Sequence, residues 1–170
     1  RSSLGGNLCN GSPAADSVPA MVVNGARAVI AGPNGTRVLD VAEVVTGPGQ
    51  TSLEADEFIV EFEIDRMPAR SGDAYLRMIP RTEMDIAVVG AGARVTLAED
   101  GSIEEAVVAL GAVAPTVVRV PDAEAALVGN TADDETLSAV AEAASGVCNP
   151  IDDKRGTVAY RKQVAGVLAK

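Results

Sequence analysis

Residues 1–16 read R-S-S-L-G-G-N-L-C-N-G-S-P-A-A-D, a stretch that combines three glycines, two asparagines and three serines. Because glycine carries no side chain, backbone N–H groups here stay accessible, and a phosphate or a flat heterocycle can lie directly on the main chain. The stretch therefore predicts a cradle for a ligand, and the rest of the chain is organised around it. The alternative is an ordinary glycine-rich turn that binds nothing.

The end of this stretch has the pattern of a helix start. Ser12 is a residue type favoured at the N-cap, and Pro13 is one favoured at the first helical position. Together they predict a short apolar helix over 14–23, with its positive end directed at the glycines. Asp16 in the first turn is placed to accept hydrogen bonds from ligand hydroxyls, or else only complements the helix dipole.

The composition limits the kinds of molecule that the chain is expected to bind. The 170 residues are 47% apolar, which is enough for a core in one domain or in two small ones. Aromatic residues make up only 2% and the net charge is -10, so the stacking platforms and the basic surface typical of nucleic-acid binding are missing. An anionic cofactor would have to be held by backbone dipoles.

Cysteine and histidine usage argues against a metal centre built by this chain. With two cysteines, Cys9 and Cys148, and no histidine, neither a zinc site nor an iron–sulfur cluster can be assembled. Two distant thiols are typical of the reducing cytosol, although the sequence leaves open a single disulfide bridge between them.

Glycine, proline or a charged residue interrupts every long apolar run, so we expect a cytoplasmic protein without a membrane span. Arg1 stands inside a motif, so we expect a fragment whose partner half lies upstream.

Turn residues between apolar runs predict the other elements. Gly32-Pro33-Asn34-Gly35 is a strong hairpin signal. The predicted strands are 28–30, 36–39, 57–64, 73–79, 86–98 and 103–112. The predicted helices are 120–128, 133–145 and 152–169. The polar connection 67–72 is the expected domain boundary, and a meander with helices on one face gives an α+β architecture.

The strand at 57–64 alternates apolar and polar residues. Four apolar residues are expected on its buried face: Phe58, Val60, Phe62 and Ile64. Ile59 falls on the polar face. There it either needs an apolar partner such as an isoalloxazine ring, or is a single surface or subunit-contact residue.

Several motifs carry a resemblance to one family. S-L-G-G-N followed by G-S-P-A-A-D resembles the second flavin-binding segment of the FAD subunit of molybdenum hydroxylases, the family of xanthine dehydrogenase and aerobic carbon monoxide dehydrogenase. The second half resembles the C-terminal domain of the same subunits. Its landmarks are A-Y-L-R at 74–77, R-T-E-M-D-I-A at 81–87, G-A-V-A-P at 111–115 and D-K-R-G-T-V-A-Y-R at 153–161.

The resemblance implies an α+β fold of two domains. Residues 1–66 would be the C-terminal half of a PCMH-type FAD-binding domain. Residues 67–170 would be the flavoprotein C-terminal domain, a three-stranded antiparallel sheet with a three-helix bundle. The family's first glycine-rich loop, which holds the other side of the FAD diphosphate, is absent from these residues, so the chain alone is expected to bind FAD poorly.

The resemblance also implies electron transfer. A molybdopterin subunit would oxidise the substrate, an iron–sulfur subunit with 2Fe-2S clusters would pass single electrons, and FAD would hand them to an external acceptor. This FAD-dependent oxidoreductase activity would require those partner subunits, by analogy in a dimer of heterotrimers. Two alternatives stay open: a non-catalytic assembly domain that keeps the fold without flavin, and an FAD oxidoreductase of the vanillyl-alcohol oxidase type.

Matching motif positions imply the FAD site. The expected cofactor-binding residues are Ser3, Gly5, Gly6, Asn7, Asn10, Asp16, Ile59 and Arg77. The S-L-G-G-N segment would line the diphosphate and the ribityl chain, and Asn10 would contact the ribityl or flavin end. Asp16 would bind hydroxyls, Ile59 would pack on the flavin, and Arg77 would place a cation near the ring. Arg77 stands where lysine is common, so the charge is kept in a larger, planar group.

Structural roles are implied for other residues. Arg81 and Asp85 are expected to form a local ion pair that shapes the bend between two strands. Three residues are expected to anchor the last helix to the sheet or to a partner subunit: Arg155, Tyr160 and Arg161. Cys9 is expected to be a buried, inert thiol. No residue of this chain is expected to be catalytic or to bind a metal.

Overall fold

The computed structural model describes residues 3–81 and 85–170. Ser2 of the expected cradle and residues 82–84 of the R-T-E-M-D-I-A motif lie outside the described residues. The helices are α1 (Leu4–Cys9), α2 (Ser17–Val23), α3 (Val41–Val44), α4 (Pro121–Leu127), α5 (Asp134–Val147) and α6 (Val158–Ala169). The strands are β1 (Arg27–Gly32), β2 (Gly35–Asp40), β3 (Val45–Gly47), β4 (Gln50–Thr51), β5 (Phe58–Glu63), β6 (Ser71–Met78), β7 (Val89–Leu97), β8 (Ile103–Gly111) and β9 (Val118–Arg119). Within the described ranges, every helix is too short or too polar to cross a membrane.

The first sheet is antiparallel and has the strand order β2-β1-β5. The hairpin between β1 and β2 forms as predicted, with Gly35 at a φ of +113° in the turn. Only glycine adopts such a φ readily. The inward residues of β1, Ala28 and Ile30, are fully buried, so β1 is the central strand over the core.

The burial expected for the strand at 57–64 is confirmed for Phe62 and wrong for the other three residues of the predicted face. Phe58 is 62% exposed, and Val60 and Ile64 are also exposed, whereas Ile59 and Phe62 pack against the core. The pairing of β5 with β1 shifts by one residue at Val60, which is a β-bulge. An extra residue reverses the alternation beyond it, so Ile59 faces inward.

The second sheet has the order β6-β7-β8-β9, with every neighbouring pair antiparallel. The first three strands form the predicted meander, and the two-residue strand β9 adds a fourth that apolar periodicity did not indicate. Gly101, at a φ of +87°, lies in the turn between β7 and β8. With helices packed on this sheet, the α+β class is confirmed.

Helices α4, α5 and α6 follow β9, close to their predicted positions. Asp133 caps α5 by accepting a hydrogen bond from the Thr136 N–H at 2.9 Å. The last helix begins later than expected, because Asp153 and Gly156 form a backbone-bonded turn. Thr157 then caps α6.

Helix α2 joins the two halves of the chain. One core lies between the second sheet and α4–α6, and a second core includes α2 together with Val107 and Ala109 of β8. Two glycines make room for the helix: a Cβ at Gly92 would lie 3.1 Å from the Pro19 carbonyl oxygen, and a Cβ at Gly111 would lie 3.0 Å from Pro19 Cγ. The halves therefore share an apolar contact.

Candidate functional site

The S-L-G-G-N segment of the predicted cradle is the start of a helix. Ser3 is the N-cap of α1: its Oγ accepts a hydrogen bond from the Gly6 N–H at 3.1 Å, and its carbonyl accepts one from the Asn7 N–H at 2.9 Å. These acceptors hold a turn that the paired glycines alone disfavour.

Gly5 nevertheless gives α1 an open backbone surface. A Cβ at Gly5 would meet no atom within 4 Å, whereas one at Gly6 would lie 3.0 Å from Ser3 Oγ. The first N–H groups of a helix have no acceptor within it. Ser3 Oγ accepts from that of Gly6, which leaves those of Leu4 and Gly5. An anionic group can approach this backbone closely, since helix N-termini favour negative charge.

Asn7 caps the second helix. Its side-chain oxygen accepts hydrogen bonds from the Ser17 N–H at 3.1 Å and from the Ser17 hydroxyl at 2.6 Å. The helix start expected at Ser12-Pro13 is wrong, because Ser12 Oγ accepts from the Ala14 N–H at 3.2 Å within a separate turn. Asn7 therefore ties α1 to α2 through its side chain.

The remaining polar residues of the segment differ in role. Gly11 packs on the turn at 49–50: its φ is +60°, and a Cβ there would lie 3.0 Å from the Gln50 nitrogen. Gly11 is therefore required by packing. Asn10 is the exposed C-cap of α1. Cys9 is exposed too, so the expectation of a buried thiol is wrong, because Leu8 takes the inner side of the helix.

Asp16 and Arg77, distant in sequence, form an ion pair. The Tyr75 hydroxyl donates a hydrogen bond to Asp16 Oδ1 at 3.2 Å. Tyr75 and Arg77 lie two residues apart on β6 and therefore share one face. The side chains of Asp16 and Arg77 are 43% and 35% exposed, within reach of a ligand. Burial, with the nearby Asp16 carboxylate, raises the pKa of Tyr75, so its hydroxyl stays protonated.

Two adjoining clefts open beside this pair. The more open cleft, of about 500 Å³, is lined by Asp16, Arg77, Arg81, Asp85, Ile86 and Arg155. A largely apolar cleft of about 370 Å³ shares Ile86 and Arg155 with it. The expected site residues Asp16 and Arg77 therefore stand at the edge of a space large enough for a ring system.

Two arginines near the clefts, Arg81 and Arg161, make the polar contacts expected of them. Arg161 is 3% exposed; its guanidinium donates to the Val88 carbonyl at 2.6 Å and to Asp153 Oδ1 at 2.8 Å, which anchors α6 to the sheet. Arg81 Nε donates to Asp85 Oδ2 at 2.9 Å. That hydrogen bond is the main cause that lowers the pKa of Asp85. The Arg81–Asp85 pair and the anchoring by Arg161 are therefore confirmed.

The other expectations for this region have different outcomes. Arg155 pairs with Asp85 and Asp153, which lie outside the sheet, and Tyr160 is 39% exposed. The bend that the Arg81–Asp85 pair was expected to shape includes residues outside the described ranges.

The structure brings together most of the expected cofactor residues. Those from Ser3 to Asn10 lie on or flank α1, Asn7 bonds to the residue that follows Asp16, and Asp16 bonds to Arg77. Ile59 lies beside Ile30 of β1 and packs against the core, so its expected position on the polar face of the strand is wrong. Sequence reasoning missed Tyr75. Its position two residues before Arg77 on a predicted strand was the available signal.

Two family profiles match the chain. The profile described as "FAD binding domain in molybdopterin dehydrogenase" matches residues 1–66, and the profile described as "CO dehydrogenase flavoprotein C-terminal domain" matches residues 74–170. The chain belongs to the FAD-binding subunits of the molybdenum hydroxylases. The expected family and its cofactor, FAD, are thereby confirmed.

Individual members of this flavoprotein family cover nearly the whole chain. The xanthine dehydrogenase FAD-binding subunit of Escherichia coli O157:H7 is 32% identical over 167 residues, 98% of this chain and 57% of that protein. The carbon monoxide dehydrogenase medium chain of Hydrogenophaga pseudoflava is 31% identical over 171 residues, 100% of this chain and 58% of that protein. The chain thus spans less than two thirds of the length of these relatives.

Solved structures agree with these relatives. A carbon monoxide dehydrogenase from Hydrogenophaga pseudoflava matches with a TM-score of 0.94 at 32% identity, over 99% of this chain and 58% of that one. Quinoline 2-oxidoreductase from Pseudomonas putida 86 matches with a TM-score of 0.87 at 29% identity, over 99% of this chain and 59% of that one. The flavoprotein fold is therefore shared along essentially the whole chain.

The residues of α1 and β6 fit FAD. The missing Cβ at Gly5 leaves backbone open to a diphosphate, and the exposed Asp16 carboxylate can accept hydrogen bonds from cofactor hydroxyls. Arg77 supplies a cation beside a cleft of about 500 Å³.

Proposed function

We propose that this chain is the FAD-carrying electron-transfer part of a molybdenum hydroxylase. The observation that carries the proposal is the open backbone at Gly5, within the segment that matches the family's FAD-binding domain. FAD when bound supplies the ability to take up electrons singly and to release them in pairs. In this proposal the electrons arrive from 2Fe-2S clusters in a partner subunit and leave to an external acceptor.

The residues around α1 would bind and orient the cofactor. Ser3 keeps the first turn helical, so that backbone N–H groups near Gly5 face the diphosphate. Asn7 fixes α2 against α1, which sets the distance from that turn to Asp16. Asp16 then accepts hydrogen bonds from cofactor hydroxyls with the lone pairs that Arg77 and Tyr75 leave free.

Two further residues would tune the flavin. Arg77 carries a positive charge at the open cleft, which favours a reduced, anionic ring electrostatically. Its pairing with Asp16 moderates that field. Ile59 is half-buried on β5 and packs against the core, so a contact with the flavin would use only the part of its side chain that stays exposed. Asn10, exposed at the end of α1, is expected to contact the ribityl or flavin end.

The domain organisation and the assembly are part of the same proposal. Residues 1–66 would complete their FAD domain with an upstream half, and residues 67–170 would form the second domain; profile matches over 1–66 and 74–170 support this division. Relatives are named as xanthine dehydrogenase and carbon monoxide dehydrogenase subunits. We propose iron–sulfur and molybdopterin partners, a dimer of heterotrimers, and a cytoplasmic location.

Isolation of the native assembly through a tag on this chain tests the proposal. We expect two further chains to co-purify, with iron and molybdenum detected by metal analysis. Mass determination in solution then gives the stoichiometry. A chain that purifies without partners and without either metal would contradict the proposal and favour the assembly-domain alternative.

A further inference from the structure

One face of β6 runs alongside α2. Asp73, Tyr75 and Arg77 alternate along the strand and therefore point the same way. The Asn24 side chain, at the end of α2, donates to Asp73 Oδ2 at 2.7 Å, while Asp16, at its start, bonds to Tyr75 and Arg77.

The two pairs of contacts are separated by similar distances along α2 and along β6. From Asp16 to Asn24 a helix advances about 12 Å, and from Arg77 to Asp73 a strand advances about 13 Å. Polar contacts at both ends thus fix α2 along β6. Asp16 is held relative to Arg77 by the packing of two whole elements.

Asp16 occupies the N-cap position of α2 without capping it. The Ser17 N–H is bonded by Asn7 instead. Because the Asn7 side chain accepts the hydrogen bond from the first N–H of α2, the Asp16 carboxylate is free to point toward β6. There it accepts hydrogen bonds from both Tyr75 and Arg77.

The fold keeps space for the tyrosine ring. Tyr75 lies over Gly90 of the neighbouring strand, and a Cβ at Gly90 would come within 2.6 Å of the Tyr75 hydroxyl oxygen. Any larger residue at position 90 would push the ring away from Asp16. The hydroxyl contact therefore depends on glycine at this position.

We propose that Tyr75 is a positioning residue. By donating a hydrogen bond to Asp16, it sets how strongly the positive charge of Arg77 acts on the flavin. The inference rests on the proposed function, in which Arg77 faces a bound flavin. A carboxylate that accepts two hydrogen bonds shares its negative charge between two donors. Without the tyrosine hydroxyl, Asp16 interacts with Arg77 alone and neutralises more of its field.

The change Tyr75→Phe therefore predicts a lower flavin reduction potential in the native assembly. We expect the shift to have the sign of that caused by Arg77→Gln and to be smaller. Gly90→Ala should reproduce it by displacing the ring, which provides a second variant if one fails to fold. Tyr160→Phe, a change at the other tyrosine, on α6, is the matched control and should leave the potential at its wild-type value.

Spectroelectrochemical titration of the tagged native assembly, followed at the flavin absorption, measures each potential. Lower values for Tyr75→Phe and Gly90→Ala, with Tyr160→Phe unchanged, would support the inference. A Tyr75→Phe potential equal to wild type, in an assembly where Arg77→Gln lowers it, would overturn the inference and leave the proposed function intact. An assembly that carries no FAD would overturn both.

Discussion

Gly5 lies in the first turn of α1, with open space where a side chain would stand. In a helix, alanine is more stable than glycine by about 0.5–1 kcal/mol, because glycine loses more conformational freedom on folding. We expect Gly5→Ala to raise the free energy of unfolding by about that amount, yet to weaken FAD binding by about tenfold or more, since the new methyl group would stand where the diphosphate lies. Urea unfolding and the flavin content of native material measure the two effects.

Gly146→Ala provides the control for this change. Gly146 lies in the last turn of α5, and a Cβ there would also meet no atom within 4 Å. The same gain in stability is expected with FAD content unchanged. If Gly5→Ala retained FAD as firmly as Gly146→Ala, the proposed diphosphate contact would be wrong.

Single residues show what a sequence can and cannot predict. Asp16 and Arg77 were expected at the cofactor site because each stands in a recognisable motif. Their pairing was not predicted, because it depends on which face β6 turns to α2. The Ser12-Pro13 start was mispredicted because Pro13 instead accepts a hydrogen bond from the Ala112 N–H at 2.7 Å, a tertiary contact that local preferences do not encode.

At the scale of elements, α5 and α6 pack closely at Gly166. A Cβ there would lie 2.7 Å from the Ala141 carbonyl oxygen, which is backbone and cannot move aside easily. Overpacking costs about 1–3 kcal/mol, which exceeds the helix preference for alanine. We expect Gly166→Ala to lower the free energy of unfolding by about 1–2 kcal/mol, measured by urea unfolding. An increase equal to that of Gly146→Ala would show that the helices are loosely packed.

The loop before β5 is held to β2 by an ion pair with a pH signature. Hydrogen bonds from Arg37, and from the Glu54 N–H, lower the pKa of Glu57 to about 2. Since the folded pKa lies below the unfolded value of about 4.3, the pair stabilises the fold above that pH, and the stabilisation is lost as pH falls toward 2. We expect Arg37→Met to flatten this part of the stability profile.

Unfolding by urea at several pH values between about 2 and 5 measures this loss. Glu57→Gln should flatten the profile in the same way, because it removes the titrating group. A profile for Arg37→Met as steep as that of the wild type would mean that another carboxylate carries the acid sensitivity.

Element prediction succeeded where turn chemistry and periodicity agree. The hairpins β1–β2 and β7–β8 follow from glycine-bearing turns between apolar runs, and β6 follows from its own apolar run before Pro80. The face of β5 was mispredicted because the bulge at Val60 depends on pairing with β1. A period of two within one strand contains no information about where its pairing with a neighbouring strand shifts.

For the whole molecule, the sequence predicted an α+β fold in two halves but did not predict how the halves meet. That contact depends on α2 lying across Gly92 and Gly111, where the absence of side chains lets the helix approach β7 and β8. In a single sequence such glycines resemble any others, so their role is visible only in the structure, where the helix packs on the sheet.

The visible spectrum of the native protein, isolated through a tag on this chain and followed by identification of the released cofactor, tests the central claim most directly. Flavin absorption with FAD as the released molecule, in about equal amount to this chain, is the predicted result. A colourless preparation would contradict the account. The open backbone at Gly5 and the Asp16–Arg77 pair would then be structural features of a protein that binds no flavin.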